Sequence, residues 1–420
     1  MPKMALFSLD VLDNVEKFAR SLTRVGWEII ASKETLGVLS RKNIPALDIA
    51  DFVGIRQDYG FPPTLHPKIE LYLTSSRGPR IDLVYVVPYP WSKGNDVGGT
   101  TLLALAAKGN RIPVMLVPDM AKVVGEIGKN GKISEQLHRE LINKANFFAA
   151  NHYGDLITDR KNHDVITGNR LYDLMNGENP YQIPAELFST KVTDFLSISN
   201  FKQISGCPPC FTNLADSDAI ITTMCLAAEA FKLKYKKIPY ICIVAKHGNA
   251  CGMAASWNEP SAAIEGALFG NPRASWGGEL ISNFEIDSNL AKLLFKSDER
   301  KEIVGDAAWM LDVVLAPRFT EAAIEILSKR VNRKLLQNDS LRSPFLSMSR
   351  YAYRFVRGGF IRQPPNKFVL DFRNVKLTGP KLERHLIDSI IIAWAVAWSS
   401  NHGGNEICIT KDSRLLAVGG

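Results

Sequence analysis

The sequence predicts an α/β protein of more than one domain, opening with a parallel sheet that has helices on both faces and continuing into further α/β lobes. Three observations predict it. Apolar runs of strand length alternate with amphipathic helical patterns from residue 4 to about residue 125, the arrangement that builds parallel sheets. The run "IDLVYVV" (81–87) is apolar but for Asp82, as expected of a strand buried on both faces. At 420 residues the chain also exceeds the size at which a single core keeps growing.

Taken in order, "MALFSL" reads as a strand, "NVEKFARSLTRVG" as a helix closed by Gly26, and "WEIIAS" as a second strand. Another helix, the strand at 81–87, the helix "GTTLLALAAKGN" and the strand "IPVMLV" follow. A helical stretch over 133–160 closes the first domain, assigned to residues 1–165. A second region, 166–336, holds the helix "DAIITTMCLAAEAFKL" and the strand "YICIVA". Helices near 259–269 and 286–296, the strand "WMLDVVLAP" and a helix over 319–328 complete it. The last region, 337–420, reads as a Ser-, Arg- and Pro-rich connector (337–366), a helix over 382–400, a strand "EICIT" and a terminal "LLAVGG". Two glycines after an apolar strand predict a turn there.

Apolar residues at 46% and charged residues at 22% are ordinary globular values. No apolar run reaches the ~18–20 residues of a membrane span, and "MPKMALFSLDVLDNVEKF" lacks a signal-peptide pattern. The expectation is a soluble cytoplasmic protein with neither membrane nor nucleic acid as partner. The net charge of +8 is spread along the chain, with short clusters only at "KLKYKK" (232–237) and "KRVNRK" (329–334). These read as solvated helix faces, and a diffuse positive field also draws in phosphorylated or polyanionic small molecules. Of six cysteines, Cys225 and Cys242 lie in apolar contexts that suit reduced core thiols. "CPPC" (207–210) has redox or half-zinc spacing, but no second ligand pair accompanies it, so it reads as a turn and no metal site is predicted.

Several polar groups fall where strand ends belong. Ser32 and Thr35 in "IASKET" offer hydroxyls, with the helix N-terminus behind them, to an anion; an ordinary N-cap is the competing reading. Asp96, Tyr89 and Lys108, the last twelve residues beyond Asp96, form a candidate base, donor and cation converging on a carbonyl. Each alone is as well explained by packing, by an N-cap or by a C-terminal cation. "VAKHGNACGMA" (244–254) sets Lys246 and His247 at the end of an apolar run. A histidine can take and return a proton, and a neighbouring lysine can stabilise an oxyanion. Side chains alternate along a strand, so both reach one pocket only if the chain leaves the strand there, which Gly248 and Gly252 allow.

Together these segments resemble the bifunctional family that combines aminoimidazole carboxamide ribonucleotide (AICAR) transformylase with inosine monophosphate (IMP) cyclohydrolase. "TLHPK", "IDLVYVVPYP", "DVGGTTLLALAAKGN", "INKANFFAANHYGDLIT" and "NGENPYQ" follow in the family's order. "TNLADSDA", "AKHGNACGMA", "ALFGNPRASWGGELISN", "VLAPRFTEAAIEIL" and "RGGFIRQ" continue it. The resemblance implies a methylglyoxal-synthase-like cyclohydrolase domain followed by cytidine-deaminase-like transformylase lobes. It further implies 10-formyltetrahydrofolate as co-substrate, an AICAR-like amino-carboxamide as acceptor, and a homodimer. In family terms His247 handles the amine proton, Lys246 stabilises the formyl oxyanion and Asn213 positions substrate, while Tyr89, Asp96 and Lys108 serve ring closure. Implied substrate contacts fall at Ser32, Thr35, Thr64, Gly98, Gly99, Gly177, Asn179, Gly277 and Gly278.

This sequence also departs from the family. The Ser-Gly-Gly-Thr phosphate loop is Ser32-Lys33-Glu34-Thr35 here, and the lysine before Thr64 is Pro63. Arg-Tyr-Gly in the linker motif becomes Met175-Asn176-Gly177, and "NPCG" becomes Asn249-Ala250-Cys251-Gly252. Family chains continue past "AVGG". The expected function is formyl transfer to AICAR or a related amino-carboxamide, dehydrative closure to IMP, or both. Two alternatives stand beside it: a specialised relative acting on an amino-carboxamide without ribose phosphate, and a catalytically inactive homologue serving as a binding or assembly partner.

Overall fold

A computed structural model describes residues 2–55, 62–89, 94–157, 162–190, 194–347, 351–400 and 405–419. Pro90 of the "YP" pair, the last residues of the 133–160 stretch and Gly420 lie outside them. The chain divides into two compact units, Met1–Thr167 and Gly168–Gly420. The boundaries expected at 165 and 336 compare with this single division, and the last two strands of the chain enter the main sheet of the second unit.

In the first unit the elements run β1 (Met4–Leu9), α1 (Val15–Arg24), β2 (Glu28–Ala31), α2 (Lys33–Arg41), β3 (Leu47–Asp48), α3 (Ile49–Val53) and α4 (Pro67–Thr74). They continue with β4 (Ile81–Val87), α5 (Val97–Lys108), β5 (Ile112–Val114), α6 (Val117–Asn130) and α7 (Glu135–Asp155). Helix α1 forms because Val15, Phe18, Ala19 and Leu22 recur at three- and four-residue spacing and are buried. Gly26, at φ +81, turns the chain into β2. The expected strand "IPVMLV" stops at Val114, because Val117-Pro118 already opens α6 and a proline there suits a first helical turn.

All five strands are parallel, in the order β3-β2-β1-β4-β5. Alternate residues serve opposite cores. Ala5, Phe7 and Leu9 of β1 with Leu83 and Tyr85 of β4 meet α1 and α6. Leu6 with Val84 and Val86 meets α3, α4 and α5. Burial on both faces is why these strands read as continuous apolar runs. The strand order reverses between β1 and β4, so the loops at their carboxyl ends border the crevice where such sheets bind ligands.

The second unit begins with β6 (Asn169–Asp173), β7 (Glu186–Ser189), β8 (Lys202–Ser205), α8 (Phe211–Tyr235), β9 (Tyr240–Lys246), β10 (Asn249–Ser256) and α9 (Pro260–Leu268). Next come β11 (Glu279–Ser282), α10 (Ser288–Phe295), α11 (Asp298–Val304), β12 (Val313–Ala316), α12 (Glu321–Leu327) and β13 (Lys334–Gln337). It closes with β14 (Ala352–Val356), β15 (Gly359–Gln363), α13 (Arg384–Ser399), β16 (Ile407–Lys411) and β17 (Arg414–Gly419). Its main sheet is eight-stranded and mixed, ordered β16-β17-β10-β9-β11-β12-β13-β8. Ile241, Ile243 and Ala245 of β9 pack under α8 and α13, while Cys242 and Val244 pack under α9, α10 and α12.

Two expectations are corrected. The strand before the terminal glycines runs on through Gly419 where a turn was expected, because β17 pairs antiparallel with β16 and meets β10 at Ala254. The stretch 337–366 is not a plain connector, since β14 and β15 form a hairpin within it. No described helix is long and apolar enough to cross a membrane.

Gly252 shows how closely α9 rides on β10. A Cβ there would stand 1.9 Å from the carbonyl oxygen of Ala267. Gly252→Ala is expected to lower unfolding free energy by about 1–3 kcal/mol in urea titration, as overpacking does. Gly37, inside α2 with open space around it, is the control. Gly37→Ala is expected to raise stability by about 0.5–1 kcal/mol.

Candidate active site

The Lys246–His247 pair lies where β9 turns into β10. Lys246 pairs with Asn249 across the hairpin, leaving His247 and Gly248 as a two-residue loop. Both loop residues have positive φ, 55° and 74°, which is the conformation that joins twisted antiparallel strands most closely. Histidine enters this region more readily than most side chains, and glycine does so freely. The chain therefore leaves the strand at His247, and Gly248 makes the turn. Gly252 serves the α9 contact instead. The His247 side chain is exposed, and its backbone N–H donates to Asp216 Oδ2 at 2.9 Å. Lys246 Nζ donates to the Trp276 carbonyl at 2.7 Å and stands 5.5 Å from that exposed indole ring.

The first turn of α8 is the other wall. Cys210 caps the helix, and its backbone N–H donates to Asn213 Oδ1 at 3.2 Å. Asn213 Nδ2 reaches across to β11 and donates to Glu279 Oε1 at 2.9 Å. The "CPPC" segment is thus the entry to α8. Cys207 Sγ donates to the Asn332 carbonyl, all six cysteines are free, and no metal-binding group of side chains occurs among the described residues.

The "NGENPYQ" loop joins the same helix end. Phe211 N–H donates to the Asn176 carbonyl and Met175 N–H to that of Pro209. Gly177 and Asn179 are turned in upon Gln182: the Gly177 N–H donates to its carbonyl, and the Asn179 N–H and Nδ2 donate to its Oε1. Gly277 has φ +71 and donates to the Met310 carbonyl, while a Cβ on Gly278 would stand 2.4 Å from the Ala245 carbonyl oxygen. Backbone conformation at one glycine and close approach at the other account for both.

Glu279, unremarked in the sequence reading, is the most perturbed acid of the site. It is 2% exposed, and burial pushes its carboxyl up to about 9. The Asn213 hydrogen bond opposes that rise, and the nearby Asp216 and Asp312 carboxylates add to it. Burial also raises Asp216, against the His247 and Gly248 N–H groups and a hydrogen bond with Glu279. Glu279 Oε2 meets no N–H or hydroxyl donor. The signal in the sequence is an acid opening the strand "ELIS" directly after Gly277-Gly278. Cys251, raised to about 12 mainly by burial, is an inert thiol.

In the first unit, Ser32, Thr35, Thr64, Tyr89, Asp96, Gly98 and Gly99 gather at the carboxyl ends of the strands. Ser32 Oγ and Thr35 Oγ1 are 3.1 Å apart, and Thr35 Oγ1 accepts the Leu9 N–H. Ser32 is the N-cap residue of α2 without a side-chain capping bond, and Glu34 lies in the first turn. Asp96 is buried and caps α5 through the Gly99 N–H at 2.7 Å. Its other oxygen accepts the Tyr89 N–H at 3.2 Å. A Cβ on Gly98 would fall 2.6 Å from Thr64 Oγ1. His152, which the sequence reading did not single out, bonds Asn95 Oδ1 at 2.6 Å, and the Tyr89 hydroxyl donates to the Asn95 carbonyl.

Lys108 is not brought to Asp96 within this unit. It ends α5, a helix of 12 residues, roughly 18 Å along the axis from the start. There it lines a 490 Å³ pocket with Lys3, Trp27, Asp82 and Ile112, at the amino ends of the strands.

A family model described as the AICARFT/IMPCHase bienzyme matches residues 106–420. The curated "Bifunctional purine biosynthesis protein PurH" of Acetivibrio thermocellus is 26% identical over 460 residues, covering 100% of this chain and 84% of that protein. The protein of the same name from Neisseria meningitidis serogroup A is 27% identical over 468 residues, covering 99% and 83%. A solved structure, "Crystal structure of ForH", aligns at 25% identity and a TM-score of 0.33, over 36% of this chain and 95% of that one.

The raised Glu279 pKa has a stability consequence of definite sign. The folded state keeps a proton that the unfolded chain releases near its ordinary value of 4.5. The stabilisation is therefore complete below pH 4.5 and is lost as pH rises to about 9, by up to about 1.4 kcal/mol per pH unit. Urea titrations across this range are expected to show the wild type losing stability relative to Glu279→Gln as pH rises. A constant difference contradicts the assignment.

Proposed function

This chain belongs to the AICARFT/IMPCHase bienzyme family, and from that premise we propose that its second unit transfers a formyl group from 10-formyltetrahydrofolate to the 5-amino group of AICAR or a related amino-carboxamide. The acceptor nitrogen attacks the formyl carbon, and the formyl oxygen gathers negative charge. The bond to the folate nitrogen then breaks as that nitrogen takes a proton. His247 accepts the amine proton and returns it to the leaving nitrogen. Lys246, held at the rim by the Trp276 carbonyl, stabilises the oxyanion. Asn213 orients the acceptor, and the exposed Trp276 indole offers a flat face for stacking a planar ring.

The observation that carries the reading is the turn itself. An exposed imidazole and an ammonium stand on one rigid hairpin, tied by separate hydrogen bonds to α8 and to the loop before β11. The remaining substrate contacts are proposed at Gly177, Asn179, Gly277 and Gly278. The working form is proposed to be a cytoplasmic homodimer, and six free cysteines fit a reducing compartment. In the first unit, dehydrative ring closure is proposed around Asp96, Tyr89, Ser32, Thr35, Thr64, Gly98 and Gly99. Lys108 would enter that reaction only from another copy of the chain or after rearrangement.

One observation favours an acceptor without ribose phosphate. Where the family's phosphate loop has two glycines, α2 begins at Lys33 with Glu34 in its first turn, and a carboxylate there repels an anion.

In steady-state assays with AICAR and 10-formyltetrahydrofolate, His247→Ala is expected to lower kcat by about 10²–10⁴ with unchanged circular dichroism. An intact rate in that variant removes His247 from the chemistry. Turnover of the riboside but not the ribotide selects the phosphate-free acceptor. A stable complex with a full-length homologue, with no turnover of any acceptor, selects the inactive partner.

A further inference from the structure

We infer that Asp216 and Glu279 are a pair of positioning residues whose shared proton holds the Asp216 carboxylate under the His247 amide, so that the catalytic turn keeps one conformation while its imidazole exchanges protons. The inference rests on the formyl-transfer reading of His247 and adds two residues to it that touch no substrate.

The geometry leaves one consistent arrangement. Asn213 and Asp216 are one turn apart at the start of α8, and both face the first residue of β11. Glu279 Oε1 is occupied by Asn213 Nδ2. Its Oε2 is buried without a donor, and the Glu279 carboxyl lies within hydrogen-bonding reach of that of Asp216. Asp216 Oδ2 in turn receives the His247 N–H. With both acids ionised, two buried like charges adjoin and Oε2 has no partner. With one proton, every oxygen of the bridge is satisfied, and Asp216 remains the charged acceptor that makes the stronger hydrogen bond. The bond is made to a residue at φ 55, a conformation that a non-glycine residue keeps only when its surroundings hold it.

The titratable groups facing the pair are His247 on the hairpin, Cys251 on β10 and Asp312 ahead of β12, with Lys246 beside Cys251 and Cys210 bonded to Asn213 at the cap of α8. Asp312 adds negative charge and keeps the proton on Glu279.

The test compares Glu279→Gln, whose amide donates to Asp216 at every pH, with Glu279→Leu, which donates nothing. Hydrogen exchange at the His247 amide, followed by NMR without substrate, is expected to stay slow in wild type and Glu279→Gln. In Glu279→Leu it is expected to speed up about tenfold or more. In turnover, Glu279→Leu is expected to lose about tenfold or more in kcat with little change in KM. Glu279→Gln retains kcat near neutrality and lacks the wild type's alkaline decline near pH 9. Infrared titration is expected to show a protonated-carboxyl band in wild type that Glu279→Gln lacks. Equal exchange in all three proteins, or no such band at neutral pH, overturns the inference whether or not the enzyme turns over. Normal exchange behaviour and the band, with no formyl transfer from any acceptor, leave the pair standing and remove the functional reading instead.

Discussion

The hydrogen bond from Asn213 to Glu279 organises the second unit. A carboxyl at the first position of β11 is 2% exposed, and burying it is costly unless donors meet it or a proton neutralises it. Here both occur, and the donor comes from the residue that also caps α8. A 25-residue helix is thereby registered against the sheet at the point where β9 ends. Asp216, one turn along, then falls beneath the hairpin, and the "NGENPYQ" loop is tied to the same helix end through Asn176. Moving Glu279 by one residue would turn its side chain to the α9 face, and the bridge would have nothing to reach.

The first unit solves a different problem with the same kind of material. Its polar residues collect outside the carboxyl ends of the strands because the sheet order reverses between β1 and β4. Yet several of them already serve the fold. Both oxygens of Asp96 accept backbone N–H groups, and Ser32 and Thr35 bond each other. With Glu34 in its first turn, α2 opens from its N-cap residue Ser32 as an ordinary helix entry.

Much of the architecture was legible because its cause is local. Strands buried on both faces must be apolar throughout, so "IDLVYVV" and "YICIVA" stand out, and α1 is written in the spacing of Val15, Phe18 and Leu22. What escaped notice depends on partners far away in the chain. "EICIT" and the apolar residues before the last glycines read as strands, but nothing local says that β17 pairs with β10, about 160 residues earlier. Of the catalytic candidates, Lys246, His247 and Asn213 are gathered at one place. Lys108 is carried to the far end of its helix, a separation that twelve residues of α-helix impose.

By itself the sequence determined the α/β class, the order of most strands and helices, the family, and the Lys246–His247 step at a strand end. Those follow from residue types and near-neighbour spacing. Only the tertiary structure decided that His247 sits at positive φ over Asp216, that Asn213 bridges to a buried acid, and that Lys108 parts from Asp96. The physical reason is that a carboxyl's charge and a side chain's reach are set by what packs against them. For Glu279, those neighbours lie more than sixty residues away in the chain, at the start of α8.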